Sequence, residues 1–215
     1  MKPSHYIEEL RRVSCENIFN PYSDRCGTHD LDDAPQRRSQ ILVSILEAAI
    51  EQDIDSIWIG RDLGYRGGRR TGLALTDDTH IKTHANRWGV PTNRPTKGEI
   101  VTERTATVVW GVISQIKMSI FLWNVFPFHP HETDNPFSNR PHNRLERKIG
   151  EDLLSHLIFL LKPQRLIAIG NDAAQTVRRL SEKNSVTQVR HPSYGGQTQF
   201  QSQMRQLYGL PEFPV

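Results

Sequence analysis

Cysteine is almost missing from this chain: two residues, Cys15 and Cys26, among 215. Two thiols cannot build a four-thiolate cluster or a disulfide scaffold, and they fit a reducing compartment. Long apolar runs are missing too. The longest, Leu157 to Leu161, has five residues, against the roughly 20 that a membrane-spanning helix needs. The opening MKPSHYIEELRR alternates charged and apolar residues and lacks the apolar centre of a signal peptide. Nor does one charge dominate. The 27 Lys+Arg face 24 Asp+Glu, a formal net charge of +3, which permits nucleic-acid binding without demanding it. No internal repeat, low-complexity tract or long linker interrupts the chain. A single cytoplasmic domain over residues 1–215 is therefore expected.

What is present is an alternation of elements. Helical spacing of apolar residues predicts helices over 4–12, 36–52, 78–87, 99–116, 144–161, 172–182 and 197–208. Asn171 or Asp172 is the expected cap of the helix over 172–182. Short apolar runs predict strands at 57–59, 120–123, 166–170 and 186–189. Strands of four or five apolar residues alternating with helices imply an α/β fold with a parallel sheet covered on both faces. In such sheets the functional loops lie beyond the carboxyl ends of the strands.

Three of those ends carry unusual residues. The first strand runs into Gly60-Arg61-Asp62-Leu63-Gly64-Tyr65-Arg66-Gly67-Gly68-Arg69-Arg70-Thr71-Gly72, with five glycines and four arginines, which reads as a loop. The second ends at Asn124 and enters Phe126-Pro127-Phe128-His129-Pro130-His131; the fourth stops at Arg190-His191-Pro192-Ser193-Tyr194-Gly195-Gly196. A carboxylate, a carboxamide and an imidazole sharing one crevice suit a planar heterocycle. The amide reads a donor/acceptor edge, the carboxylate positions water, and the imidazole donates to an oxygen that becomes negative.

The order and contents of these segments resemble the uracil-DNA glycosylase superfamily. Gly-x-Asp, nine residues and then Gly72-Leu73-Ala74 resembles its water-activating motif, the strand ending at Asn124 its base-reading strand, and His191-Pro192-Ser193 its leaving-group loop. The resemblance spans residues 57–196. It implies a three-layer α/β/α sandwich around a mainly parallel four-stranded sheet, and a monofunctional DNA glycosylase that hydrolyses the N-glycosidic bond of a flipped pyrimidine. It implies no metal and no cofactor. Its partner is DNA, with no membrane and no obligatory protein partner, so a monomer associated with the bacterial nucleoid is expected. By motif, Asp62 orients the attacking water, Asn124 binds the base edge, and His191 stabilises charge on the departing base.

Three positions depart from relatives. Gly64 stands where some of them place a tyrosine against the C5 methyl of thymine, so a pocket open at C5 is expected. Leu75 stands where a phenylalanine stacks on the base; Phe126 or Phe128 is then a candidate stacking ring. Gly195 replaces a leucine wedge, which leaves Tyr194 as the plug for the gap behind the extruded base. A basic rim of Arg66, Arg69, Arg70, Arg140, Arg144 and Arg190, with Ser193 and Tyr194, is expected to grip the DNA backbone.

The substrate reading stays divided between uracil, as in repair, and a C5-modified pyrimidine, including hypermodified cytosine of phage DNA. Two other classes compete with it. One is a catalytically silent module that binds modified bases. The other is a metal-dependent nuclease or phosphoesterase using His129 and His131 with His29, Asp30, Asp32 and Asp33, although no third ligand stands at a familiar spacing.

Overall fold

The computed structural model describes residues 2–181 and 185–211. Helix α1 (Pro3–Arg12), the short strand β1 (Ile18–Phe19) and α2 (Ala34–Ile50) precede β2 (Ser56–Asp62). One helical turn, α3 (Gly68–Thr71), and helices α4 (Ile81–Arg87) and α5 (Arg104–Ile113) lead to β3 (Ile120–Phe126) and the short β4 (His129–Pro130). Then come α6 (Arg144–Leu161), β5 (Arg165–Ile169), α7 (Asn171–Leu180), β6 (Ser185–Val189) and α8 (Gln197–Tyr208). The main sheet has the order β3-β2-β5-β6 and every pairing is parallel; β1 and β4 form a separate antiparallel pair.

Alternation along the strands supplies two cores. Ile57, Ile59, Phe121 and Trp123 pack with Leu10, Leu42, Leu46 and Leu154 of α1, α2 and α6. Trp58, Ile120 and Leu122 face the other way, onto Val109 and Ile113 of α5 and Phe200 and Met204 of α8. The result is the expected α/β/α sandwich. No helix among the described residues is long and apolar enough to cross a membrane.

Several boundaries differ from expectation, each for a local reason. β2 does not stop at Ile59: Gly60 pairs with Asn124 and Asp62 with Phe126, so the glycine-rich stretch begins as strand. Asn124 accordingly lies inside β3 rather than at its end. Within the same stretch residues 68–71 close a helical turn. The helix expected over 99–116 starts only at Arg104. Before it, the buried carboxylates of Asp78 and Asp77 draw off the N–H groups of Val101 (3.2 Å) and Glu103 (2.7 Å). Helix α7 is capped by Gly170, at φ +92°, and not by Asn171 or Asp172. The last residue of its expected range, 182, lies outside the described residues.

Candidate active site

Register places Asp62 and Asn124 together. Paired residues of parallel strands share a face, and residues two apart on one strand share it again. Gly60 pairs with Asn124 and Asp62 with Phe126, so Asp62 stands two residues along the ladder from Asn124 on the adjoining strand. One strand spacing across and two residues along separate their Cα atoms by about 8 Å. Because β2 pairs with β5 only as far as Ile59 and Ala168, the β2–β3 end projects past its neighbour.

Asn124 is 1 % exposed, and neither its Nδ2 nor its Oδ1 finds a hydrogen-bond partner among the described residues. A buried amide with both ends unpaired is costly, by about 1–3 kcal/mol per group, and natural folds seldom retain one without use. Its Oδ1 reaches to 2.5 Å from where a β-carbon on Gly60 would stand, so any side chain there would evict it. Leu75 lies against the same spot, at 3.3 Å. That leucine is held at φ +53°, a conformation costly for a residue with a β-carbon, while the Nε1–H of Trp110 of α5 donates to its carbonyl (3.1 Å).

Both oxygens of Asp62 are engaged. The Nε of Arg61 donates to Oδ2 (2.6 Å), and the same guanidinium bridges to Asp172 at the start of α7 (3.1 Å). The Nδ1–H of His142 donates to Oδ1. His142 is itself buried, and its Nε2 accepts from Arg147 Nε at 3.5 Å. The carboxylate is thus fixed from both sides, with little freedom to turn.

His191 follows β6 and rests on Gly170, whose missing side chain lets the histidine Cβ stand 3.2 Å from the position a β-carbon would take. Its Nδ1 accepts the Ser193 N–H (3.1 Å) and contacts the Ser193 hydroxyl (2.7 Å). An accepting Nδ1 leaves the proton on Nε2. Burial first, then the charges of Arg61 and Arg190, depress its pKa to about 4. Near neutral pH this is an uncharged ring offering one N–H donor.

The remaining candidates divide. Arg66, Arg144 and Arg190 are exposed, as a DNA-gripping rim requires. Tyr194 is 97 % exposed at φ +51°, at the tip of the loop after His191 and Ser193. Three rim arginines are instead structural. Arg69 is sandwiched between the rings of Phe19 (4.2 Å) and Phe137 (4.8 Å). Arg70 is buried on Asp78 (2.6 Å), and Arg140 grips Glu146 with two bonds of 2.7 and 2.8 Å. Charge count along a loop cannot separate these from free arginines, because the partners lie on other elements. Phe126 and Phe128 are fully buried and pack edge to face at 5.1 Å, with Phe126 against His142 and Phe128 against Tyr22. They belong to the core beneath the site, not to its wall.

The opening expected over Gly64 is filled. A β-carbon on Gly64 would lie 2.8 Å from the Glu103 carboxyl, and one on Gly67 would overlap it. Sequence reasoning passed over Glu103, His142 and Arg61, since no spacing connects them to the motifs. Asp30 and His129, from the possible metal ligands, are tied up by Arg38 and by the Ser138 carbonyl. Among the described residues no three His, Cys, Asp or Glu side chains are grouped to hold a metal ion.

The architecture and this strand-end cluster define an α/β/α sandwich with a polar site at the carboxyl edge of its sheet. The sequence matches no protein-family model and no curated protein. Its fold is similar to that of a solved structure, wild-type SMUG2 of Pedobacter heparinus, with a TM-score of 0.63 and 14 % identity over 97 % of this chain and 94 % of the other.

Proposed function

We propose that the chain is a monofunctional DNA glycosylase that hydrolyses the N-glycosidic bond of a flipped pyrimidine and leaves an abasic site. The observation that carries this reading is the buried amide of Asn124, unpartnered among the described residues and two residues along the β2–β3 ladder from Asp62. An everted base is a partner that would satisfy it. Either amide end can be presented to the base by turning the group over, so the same residue serves a uracil or a cytosine edge.

In the reaction the C1′–N1 bond breaks and its electron pair leaves with the base, loading negative charge on O2. The Nε2–H of His191 donates to that oxygen, and a neutral donor suffices. Asp62, held by His142 and Arg61, orients the water whose oxygen bonds to C1′ and offsets the positive charge that develops on the sugar. The water's proton leaves to the carboxylate or to solvent. Tyr194 fills the gap in the duplex, while Arg66, Arg144 and Arg190 bind phosphates. The substrate is uracil or a C5-modified pyrimidine, which covers repair and the removal of hypermodified bases from phage DNA.

The test is a panel of oligonucleotides carrying uracil, mismatched thymine and C5-substituted cytosines, treated with alkali after incubation. Alkali-labile sites that appear in the presence of chelator, and that vanish in Asp62→Ala while DNA binding persists, are expected. Binding without release would identify a silent reader of modified bases, and activity only with a divalent ion would identify a nuclease or phosphoesterase.

A further inference from the structure

The strand order β3-β2-β5-β6 changes direction between β2 and β5, because the chain passes from β3 on one side of β2 to β5 on the other. Such a switch point opens a crevice at the carboxyl ends of the strands. Here the β2–β5 ladder stops at Ile59 and Ala168. On the far side β5 stays joined to β6 as far as Ile169 and Val189, and the Gly170 N–H then donates to the Val189 carbonyl (2.9 Å). Asp62 and Asn124 therefore belong to one side of the crevice and His191 to the other. Beyond Ile59 the β2–β5 ladder holds neither side against its opposite.

A side chain spans the gap. The Arg61 guanidinium donates from Nε to Asp62 (2.6 Å) on the β2 side and from Nη1 to Asp172 (3.1 Å) in the first turn of α7. Asp172 stands two residues after Gly170, on which the His191 side chain rests. One cation thus joins the carboxylate to the turn that backs the imidazole. The Arg61 and Asp172 side chains are 40 % and 59 % exposed, and pairs so exposed add little to global stability. Burial comes first in depressing the His191 pKa to about 4, followed by Arg61 of β2 and Arg190 of its own loop, with Asp172 of α7 opposing.

We infer that Arg61, anchored by Asp172, is a positioning residue that sets Asp62 and His191 at one working separation across the crevice. The inference rests on the glycosylase reading above and adds to it what holds the two halves of the site together. Misplacing a reacting group by 1 Å costs about 100-fold in rate, so a link of little worth to the fold can matter greatly to turnover.

The test measures single-turnover release on the oligonucleotide panel, DNA affinity and Tm for the wild type, Asp172→Ala, Asp172→Asn, Arg61→Lys and the Asp172→Ala/Arg61→Lys double variant. Asp172→Ala is expected to lower release about 10-fold with DNA affinity and Tm unchanged. Asp172→Asn, which keeps an acceptor oxygen, should recover part of that loss. The double variant should lose less than the sum of the two single losses, because the residues act as one bridge. Arg61→Gln is expected to move the NMR titration of the His191 ring upward, which a loss of stability alone would not do. Wild-type release by Asp172→Ala, a loss that only follows Tm, or additive losses in the double variant overturn the inference and leave the glycosylase reading standing. So does an unmoved His191 titration in Arg61→Gln. A wild-type protein that releases no base overturns the glycosylase reading, and the inference with it.

Discussion

Replacing Asn124 by leucine exchanges a buried carboxamide for a hydrocarbon of similar volume. The amide has two polar ends shut away from water without partners among the described residues, and relief of one such group is worth about 1–3 kcal/mol. Part of the gain is lost because the branched side chain must fit between Gly60 and Leu75, where Oδ1 is already close. A net stabilisation of about 2 kcal/mol is expected, which for a domain of this size raises Tm by roughly 4–8 °C. The same substitution removes the group proposed to read the base, so excision should fall by about 100-fold or more. Calorimetry and single-turnover release on one protein preparation give both numbers. A variant less stable than wild type, or one that keeps its activity, would refute the view that this amide is held unpaired for a ligand.

Other outcomes are equally specific. His142→Ala frees one oxygen of Asp62 and should lower single-turnover release about 10–100-fold without weakening DNA binding; equal loss of both would make His142 merely structural. Alanine at Arg66, Arg144 or Arg190 should weaken binding to all DNA sequences and reduce the salt slope by about one per residue, as read from binding isotherms across a salt series. Arg70→Ala should instead cost roughly 3 kcal/mol in denaturant unfolding, since it removes the close guanidinium from the buried Asp78 and leaves Arg94, at 3.7 Å, as its cation. His84 and His129, both buried, have pKa values depressed to about 3. Their neutral forms stabilise the fold fully above the unfolded value near 6.5, and that contribution is lost as pH falls from there toward 3. His191, depressed to about 4, adds to this loss and Glu103, raised to about 7, opposes it. The net difference stays near two protons, so the slope approaches about 2.7 kcal/mol per pH unit, and urea unfolding that is flat between pH 6.5 and 4.5 would contradict it.

The layered architecture was legible because four short apolar runs alternate with amphipathic helices, and each run became a strand of the parallel sheet. The position of the candidate site was legible for the same reason: Asp62 and His191 stand in odd stretches just after apolar runs. What escaped was pairing across distance. Arg69, Arg70 and Arg140 looked like Arg66, because their partners Phe19, Phe137, Asp78 and Glu146 are recognisable only after folding. Gly64 promised an opening, and a carboxyl from Glu103 on a separate helix occupies it. The His142 clamp on Asp62 joins residues 80 apart, with no periodicity to announce it. Strand lengths were underestimated where polarity rises: Asn124 and Asp62 are poor strand formers, but the parallel ladder carries them.

The most direct measurement is a crystal structure of the Asp62→Asn variant bound to duplex DNA containing one uracil. The expected result is an everted base with the Asn124 amide on its edge and His191 Nε2 about 3 Å from its O2, and Tyr194 inserted in the vacated stack. A uracil still paired in the duplex, or turned out away from Asn124 and His191, would contradict the central claim.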